Sequence, residues 1–121
     1  MMADRIVLML THGPEDPERA TIPLSTAVAA QASEVEVLLG FQSNAVSLLK
    51  NGTIDHVFAP GFPPLKQLFD VYREAGGKFL ACAPCVQSRS LNQEDLIPGT
   101  QIVSGATFVK EFTASSHVLV Y

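Results

Sequence analysis

Apolar residues along this chain gather in short runs separated by polar, glycine- or proline-bearing stretches, and the spacing inside each run separates strand from helix. Arg5 to Leu10 is apolar after its first residue, with charge before it and Thr11-His12-Gly13-Pro14 after it, which predicts a central strand buried on both faces. Asp16-Pro17-Glu18 predicts a helix start. Asp16 can cap, Pro17 is tolerated at the first helical position, and Glu18 suits the positive end of the helix dipole. Ala20, Leu24, Ala27, Val28 and Gln31 follow at helical spacing to about Ala32, with Pro23 predicting a kink or a later true start near Thr21. A second strand is expected over 34–39, ended by Gly40, and a short helix over 44–50, closed by Asn51-Gly52.

Ile54 to Ala59 has strand propensity but runs straight into Pro60-Gly61-Phe62-Pro63-Pro64, so it reads as an extended connection outside the sheet. Leu65, Leu68, Phe69 and Tyr72 repeat at i, i+3, i+4 and i+7, predicting a helix over 64–75 that Gly76-Gly77 ends. A third buried strand is expected over 78–83 and a fourth over 101–105, separated by a short helix and the turn Ile97-Pro98-Gly99-Thr100. Phe108, Val109 and Phe112 mark a last amphipathic helix before a terminal strand over 117–121. Five strands alternating with helices imply right-handed crossovers, hence an α/β fold whose mainly parallel sheet is covered on both faces. All 121 residues read as a single domain, without repeats or low-complexity segments.

Composition narrows the function classes. The hydrophobic share is 47% against 17% charged, which fits a doubly covered sheet or apolar surface covered by another subunit. Net charge is -4, and the eight Lys and Arg are scattered singly with no Trp, so neither a nucleic acid nor an anionic membrane is an expected partner. No apolar stretch is long enough to span a membrane. Met1-Met2-Ala3-Asp4-Arg5, followed by only Ile6 to Leu10, is too short an apolar run for a signal peptide. Together with two cysteines only three positions apart, this points to the cytoplasm.

In a parallel sheet the loops that follow strands meet at one edge. His12-Gly13, Gly40-Phe41, Cys82 to Cys85 and Ser104-Gly105 are therefore candidates for one pocket, while His117 belongs at the opposite edge and His56 lies in the connection. A structural zinc needs four ligands; Cys82 and Cys85 supply two, His12 a third, and no fourth is evident, so no metal is expected. Thiol chemistry asks less. Pro84 suits a first helical turn, which would bring both sulfurs near unpaired amide donors able to favour a thiolate or hold an anion. Arg89 would add positive charge if it folded back. The plainer alternatives are Cys82 as a small hydrophobe finishing a strand, His12 as a loop cap and Arg89 as a solvated helix residue.

Three pieces of the chain resemble the DsrE/DsrF-like family, also called the sulfur-relay or YchN-like family. They are Thr11-His12-Gly13-Pro14-Glu15-Asp16-Pro17-Glu18-Arg19-Ala20, the Phe62-Pro63-Pro64-Leu65-Lys66 helix start ending in Ala75-Gly76, and Cys82-Ala83-Pro84-Cys85 followed by Arg89 and Glu94-Asp95-Leu96-Ile97-Pro98-Gly99. The resemblance implies a three-layer α/β/α sandwich with a five-stranded, mainly parallel sheet. It also implies assembly into homotrimers or hexamers, or into mixed complexes with paralogues. In sulfur-relay members the cysteine seven residues before an Arg carries a persulfide between donor and acceptor proteins. That position is Cys82 here, with Cys85 as resolving partner. Two departures stand out. Ser90 follows Arg89 where the family often has Gly, and Ser43-Asn44-Ala45-Val46 replaces the usual Asp-Gly-Val.

Three functions follow as expectations: a sulfurtransferase-like carrier of sulfane sulfur that needs no cofactor, an oligomeric binding module for a small anion or nucleotide, and a dithiol or peroxide oxidoreductase using Cys82 and Cys85.

Overall fold

The computed structural model describes residues 4–121; Met1 to Ala3, on which the reading of the N-terminal segment partly rests, lie outside the described residues. Five strands, β1 (Arg5–Leu10), β2 (Glu36–Phe41), β3 (Lys78–Cys82), β4 (Gln101–Val103) and β5 (His117–Val120), form one all-parallel sheet in the order β4-β3-β2-β1-β5. Among the described residues four α-helices connect them: α1 (Pro17–Ala32), α2 (Leu65–Glu74), α3 (Ala83–Ser88) and α4 (Gly105–Thr113). Single 3-10 segments fill Ser43–Leu49, Thr53–His56 and Gln93–Asp95.

Strand alternation divides the core in two. Leu8, Leu10, Val37, Leu39, Phe41, Phe79 and Ala81 face a large cluster with α1, α2 and the 3-10 segments, including Leu24, Leu48, Leu49, Phe69 and Tyr72. Val7, Met9, Leu38 and Leu80 face a smaller cluster around Phe108 of α4. The result is an α/β/α sandwich with one thick and one thin outer layer. Burying apolar side chains on both faces accounts for the high hydrophobic share. Some apolar surface remains on the β5 edge, where Val118, Leu119 and Val120 are exposed, with Val109 exposed on α4.

Several expected boundaries hold and several move. Asp16 caps α1 by accepting the Arg19 N–H at 3.1 Å, and the helix runs from Pro17 without the later start expected near Thr21. Pro23 lies within it, buried on the core face, and the carbonyl it leaves without a donor belongs to Arg19 on the exposed side, where water can replace the bond. The second strand begins at Glu36 rather than Glu34, because Glu34 takes φ +62° to end α1. Its N–H donates to the Gln31 carbonyl and that of Val35 to the Ala30 carbonyl, which is a Schellman closure with Glu in glycine's position. Gly40 is inside β2 rather than at its end, paired with Met9 on one side and Leu80 on the other, and the position takes glycine because Met9 and Phe108 occupy the space of a Cβ. The third and fourth strands end earlier than expected, at Cys82 and Val103, where helices take over the backbone hydrogen bonds. The segment 54–59 stays out of the sheet as expected, but its first half is a 3-10 turn rather than extended chain.

The same closure ends α3. Ser90 has φ +55°, donating its N–H to the Gln87 carbonyl while the Leu91 N–H donates to Val86. The serine thus preserves a turn that glycine would make without strain. Ser90→Gly and Glu34→Gly are each expected to raise stability by about 0.5–1 kcal/mol, read as a higher urea midpoint at unchanged slope. An unchanged or lowered midpoint in both would show that the left-handed conformation carries no strain.

Candidate functional site

β3 delivers the thiols. Cys82 ends the strand as the N-cap of α3, Pro84 lies in the first turn, and Cys85 stands one turn in. The sulfurs are free, half-buried and 2.6 Å apart, so that disulfide closure needs only a small movement. They open on a cleft of about 590 Å³ lined by Gln42, Ser43, Cys82, Pro84, Cys85, Ser88 and Arg89. A narrower cavity of about 250 Å³ lies at the other edge of the sheet beneath α4, among Arg5, Glu36, Lys78 and Glu111; it holds neither thiol nor histidine.

The neighbouring strand supplies the second wall. β2 exits through Gln42 into Ser43, whose φ of +51° turns its N–H onto Cys85 Sγ at 3.2 Å. Gln42 is fixed on both sides, donating its N–H to the Leu10 carbonyl and accepting from the Ala45 N–H. Arg89 does fold back. Its Nη1 donates to the Cys85 carbonyl at 3.1 Å and to Ser88 Oγ, and its Nε donates to Asn44 Oδ1 at 3.3 Å. Asn44 in turn donates through Nδ2 to Glu15 Oε1, which also accepts the Gly13 N–H at 2.8 Å. Burial works against the Glu15 carboxylate. Hydrogen bonds from Asn44 and from the backbone N–H groups of Glu15 and Gly13, with the charge of His12, outweigh it and hold the carboxyl below its ordinary range. That contribution is therefore present above the ordinary glutamate value and lost as pH falls through the lowered one.

The two thiols do not share one environment. Burial and the adjoining Cys85 sulfur push the Cys82 thiol up, and they prevail over the Cys85 N–H and the more distant Arg89 charge, which act the other way. The thiolate-favouring shift expected from a helix start is thus reversed at Cys82, because it packs against both apolar clusters while Cys85 packs against one.

Of the expected pocket residues, Cys82, Cys85 and Arg89 meet at the cleft; His12, Gly13 and Ser104 do not line it. His12 bonds Thr11 at 3.2 Å on the β1 side, two strands away from β3. Gly13 is buried against Asn44. Ser104 caps α4, accepting the Thr107 N–H. Sequence reasoning missed Gln42, Glu15 and the bridging role of Asn44. Its one available signal was the unusual Ser43-Asn44 in place of Asp-Gly. Among the described residues no three His, Cys, Asp or Glu side chains are grouped to hold a metal, and no helix is long and apolar enough to cross a membrane.

A parallel α/β sandwich with a dithiol at the carboxyl edge of its sheet defines a class of small cysteine-bearing α/β proteins. Within it, residues 4–121 match the DsrE/DsrF-like family, and the chain belongs to that family. An uncharacterized protein of Methanopyrus kandleri, MK0008, is 29% identical over 119 residues, covering 98% of this chain and 94% of its own. MJ0989 of Methanocaldococcus jannaschii, also uncharacterized, is 28% identical over 110 residues, covering 88% of this chain and 93% of its own. The fold is that of the ychN protein from E. coli, with TM-score 0.80 at 19% identity over 99% of this chain and 100% of the other. MTH1491 from Methanobacterium thermoautotrophicum is similar at TM-score 0.76 and 16% identity, over 98% and 99%.

Proposed function

We propose that this protein accepts sulfane sulfur as a persulfide on its dithiol and passes it to an acceptor thiol. The observation that carries this reading is the pair of free thiols 2.6 Å apart in an open cleft, one of them, Cys82, at the position that in the family carries the sulfur. A cysteine thiolate attacks the outer sulfur of a donor persulfide; the new S–S bond forms as the donor's breaks, and the donor leaves as a thiolate. The second thiol stands close enough to complete release by disulfide formation. No cofactor enters this exchange. The reading includes donor and acceptor proteins in the cytoplasm and assembly as a homotrimer or homohexamer, for which the exposed aliphatics of β5 offer apolar surface.

Incubating the wild type with a polysulfide salt is expected to add increments of about 32 Da by intact mass, the mass of one sulfur atom. Cys82→Ser/Cys85→Ser is expected to add none while keeping the wild-type circular dichroism. A wild type that neither retains added sulfur nor closes its disulfide with release of sulfide, or a double variant that takes up as much, overturns the proposal.

A further inference from the structure

Which sulfur acts first can be read from how each is held. Cys85 Sγ is met by the Ser43 N–H at 3.2 Å, a backbone donor aimed by a left-handed serine and braced by the hydrogen bonds on either side of Gln42. A fixed N–H aimed at a sulfur favours its anion and costs no reorganisation when the charge forms. The Arg89 guanidinium is anchored on the Cys85 carbonyl and on Asn44, so its charge stands over the turn that carries both sulfurs and does not separate them. Cys82 is set deeper. It is wedged between the large cluster and the one around Phe108, whereas Cys85 adjoins only the first. It also has a donor, the Cys85 N–H, and the Arg89 charge acts the same way, but burial and the adjoining sulfur outweigh both and push the Cys82 thiol up.

On the sulfur-carrier reading, on which this inference rests, the geometry points to Cys85 as the thiol that receives the incoming sulfur and to Cys82 as the thiol that resolves it. This inverts the order implied by matching Cys82 to the family's carrier position. Cys85 Sγ attacks the outer sulfur of R–S–SH, forming Cys85–S–SH and expelling the R–S thiolate, which takes up the departing proton. An acceptor thiolate can then remove the outer sulfur. Alternatively, Cys82 loses its proton and attacks Cys85 Sγ, forming the Cys82–Cys85 disulfide and expelling hydrosulfide. In that branch the sulfane sulfur is reduced to sulfide, both cysteines are oxidised, and an external dithiol reductant restores them.

The test separates the order of the thiols from the sulfur reading. Iodoacetamide, which needs only a thiolate, is expected to label Cys85 in Cys82→Ser about 10-fold faster than Cys82 in Cys85→Ser at neutral pH. At substoichiometric reagent the wild type is expected to carry the label on Cys85 by peptide mapping. Equal or reversed rates, or label on Cys82, overturn the assignment whatever the protein does with sulfur. Loaded with a polysulfide salt and then freed of excess reagent, Cys82→Ser is expected to keep its persulfide on Cys85 and release no further sulfide, while the wild type releases sulfide as its disulfide closes. A persulfide that forms as fast on Cys82 in Cys85→Ser also overturns the assignment. If alkylation follows the expected order but no protein takes up sulfur, the carrier reading fails and the order of reactivity stands.

Discussion

Tyr72→Phe is expected to destabilise the protein by about 1–3 kcal/mol near neutral pH and to remove much of its alkaline sensitivity. The Tyr72 side chain is fully buried, and its hydroxyl meets the Val37 carbonyl at 3.1 Å and the Lys78 carbonyl at 2.5 Å. One side chain of α2 thus ties together the entrances of β2 and β3, and β3 is the strand that delivers both thiols. Phenylalanine would fill the same slot but remove the one proton that the Val37 and Lys78 carbonyls share, which is the costly half of a lost hydrogen bond. Burial drives the Tyr72 hydroxyl well above its ordinary value of 10.0, against the pull of its backbone hydrogen bonds. Because the folded state holds the proton more tightly, the stabilisation is complete below about pH 10 and is lost as pH rises beyond it, by about 1.4 kcal/mol per unit. Urea midpoints should therefore differ clearly at neutral pH and converge as pH climbs past 10. A constant gap across that range would mean that Tyr72 does not titrate on unfolding.

Gly13→Ala should cost about 2–4 kcal/mol, although it adds one methyl group. A Cβ at Gly13 would lie 2.4 Å from the Asn44 carbonyl oxygen, 2.9 Å from Asn44 Nδ2 and 3.0 Å from Glu15 Oε1. The first contact is with backbone, so no rotamer change relieves it; the 3-10 segment Ser43–Leu49 must shift instead. That segment carries the Ser43 N–H that meets Cys85 and the Asn44 that anchors Arg89. The substitution is therefore expected to lower the urea midpoint and, in the protein that still folds, to slow alkylation of Cys85. Wild-type values for both would show that the loop after β1 is not docked on this segment.

Much of the fold was legible because its signals are local. The apolar run of β1, the Asp16 cap, the i, i+3, i+4, i+7 face of α2 and its Gly76-Gly77 ending each depend on residues within one or two turns. The errors have the opposite origin. Gly40 looks like a strand ending in sequence, yet it pairs with Met9 and Leu80 inside β2 and is glycine because Met9 and Phe108 from α4 occupy the space a side chain would need. Glu34 looks like the start of a strand, yet the end of α1 claims it, since the carbonyls of Ala30 and Gln31 need donors.

The candidate site divides in the same way. A strand running into Cys82-Ala83-Pro84-Cys85 placed both thiols at a carboxyl edge, whereas Arg89 stood a helical turn or more away in sequence and only the fold brings its guanidinium back over the turn. The sharing of one edge by all parallel strands also suggested His12 and Ser104 as neighbours, and there it overreached. Strand order puts β2 beside β3, so the loop after β2 walls the cleft, while His12 sits at the β1 end next to β5, where Thr11 bonds the Tyr121 carbonyl. Asn44 was hidden because it joins Glu15 and Arg89, 29 and 45 residues away in the chain.

What the sequence by itself determined is the set of elements, their parallel alternation and a dithiol at the head of a helix, because periodicity, caps and chain direction are written within a few residues. What only the tertiary structure decided is which loops meet and how the two sulfurs differ. Apolar strands are nearly interchangeable as partners when read along the chain. The inequality of Cys82 and Cys85 arises from burial between two clusters and from a backbone N–H that reaches Cys85 from another strand.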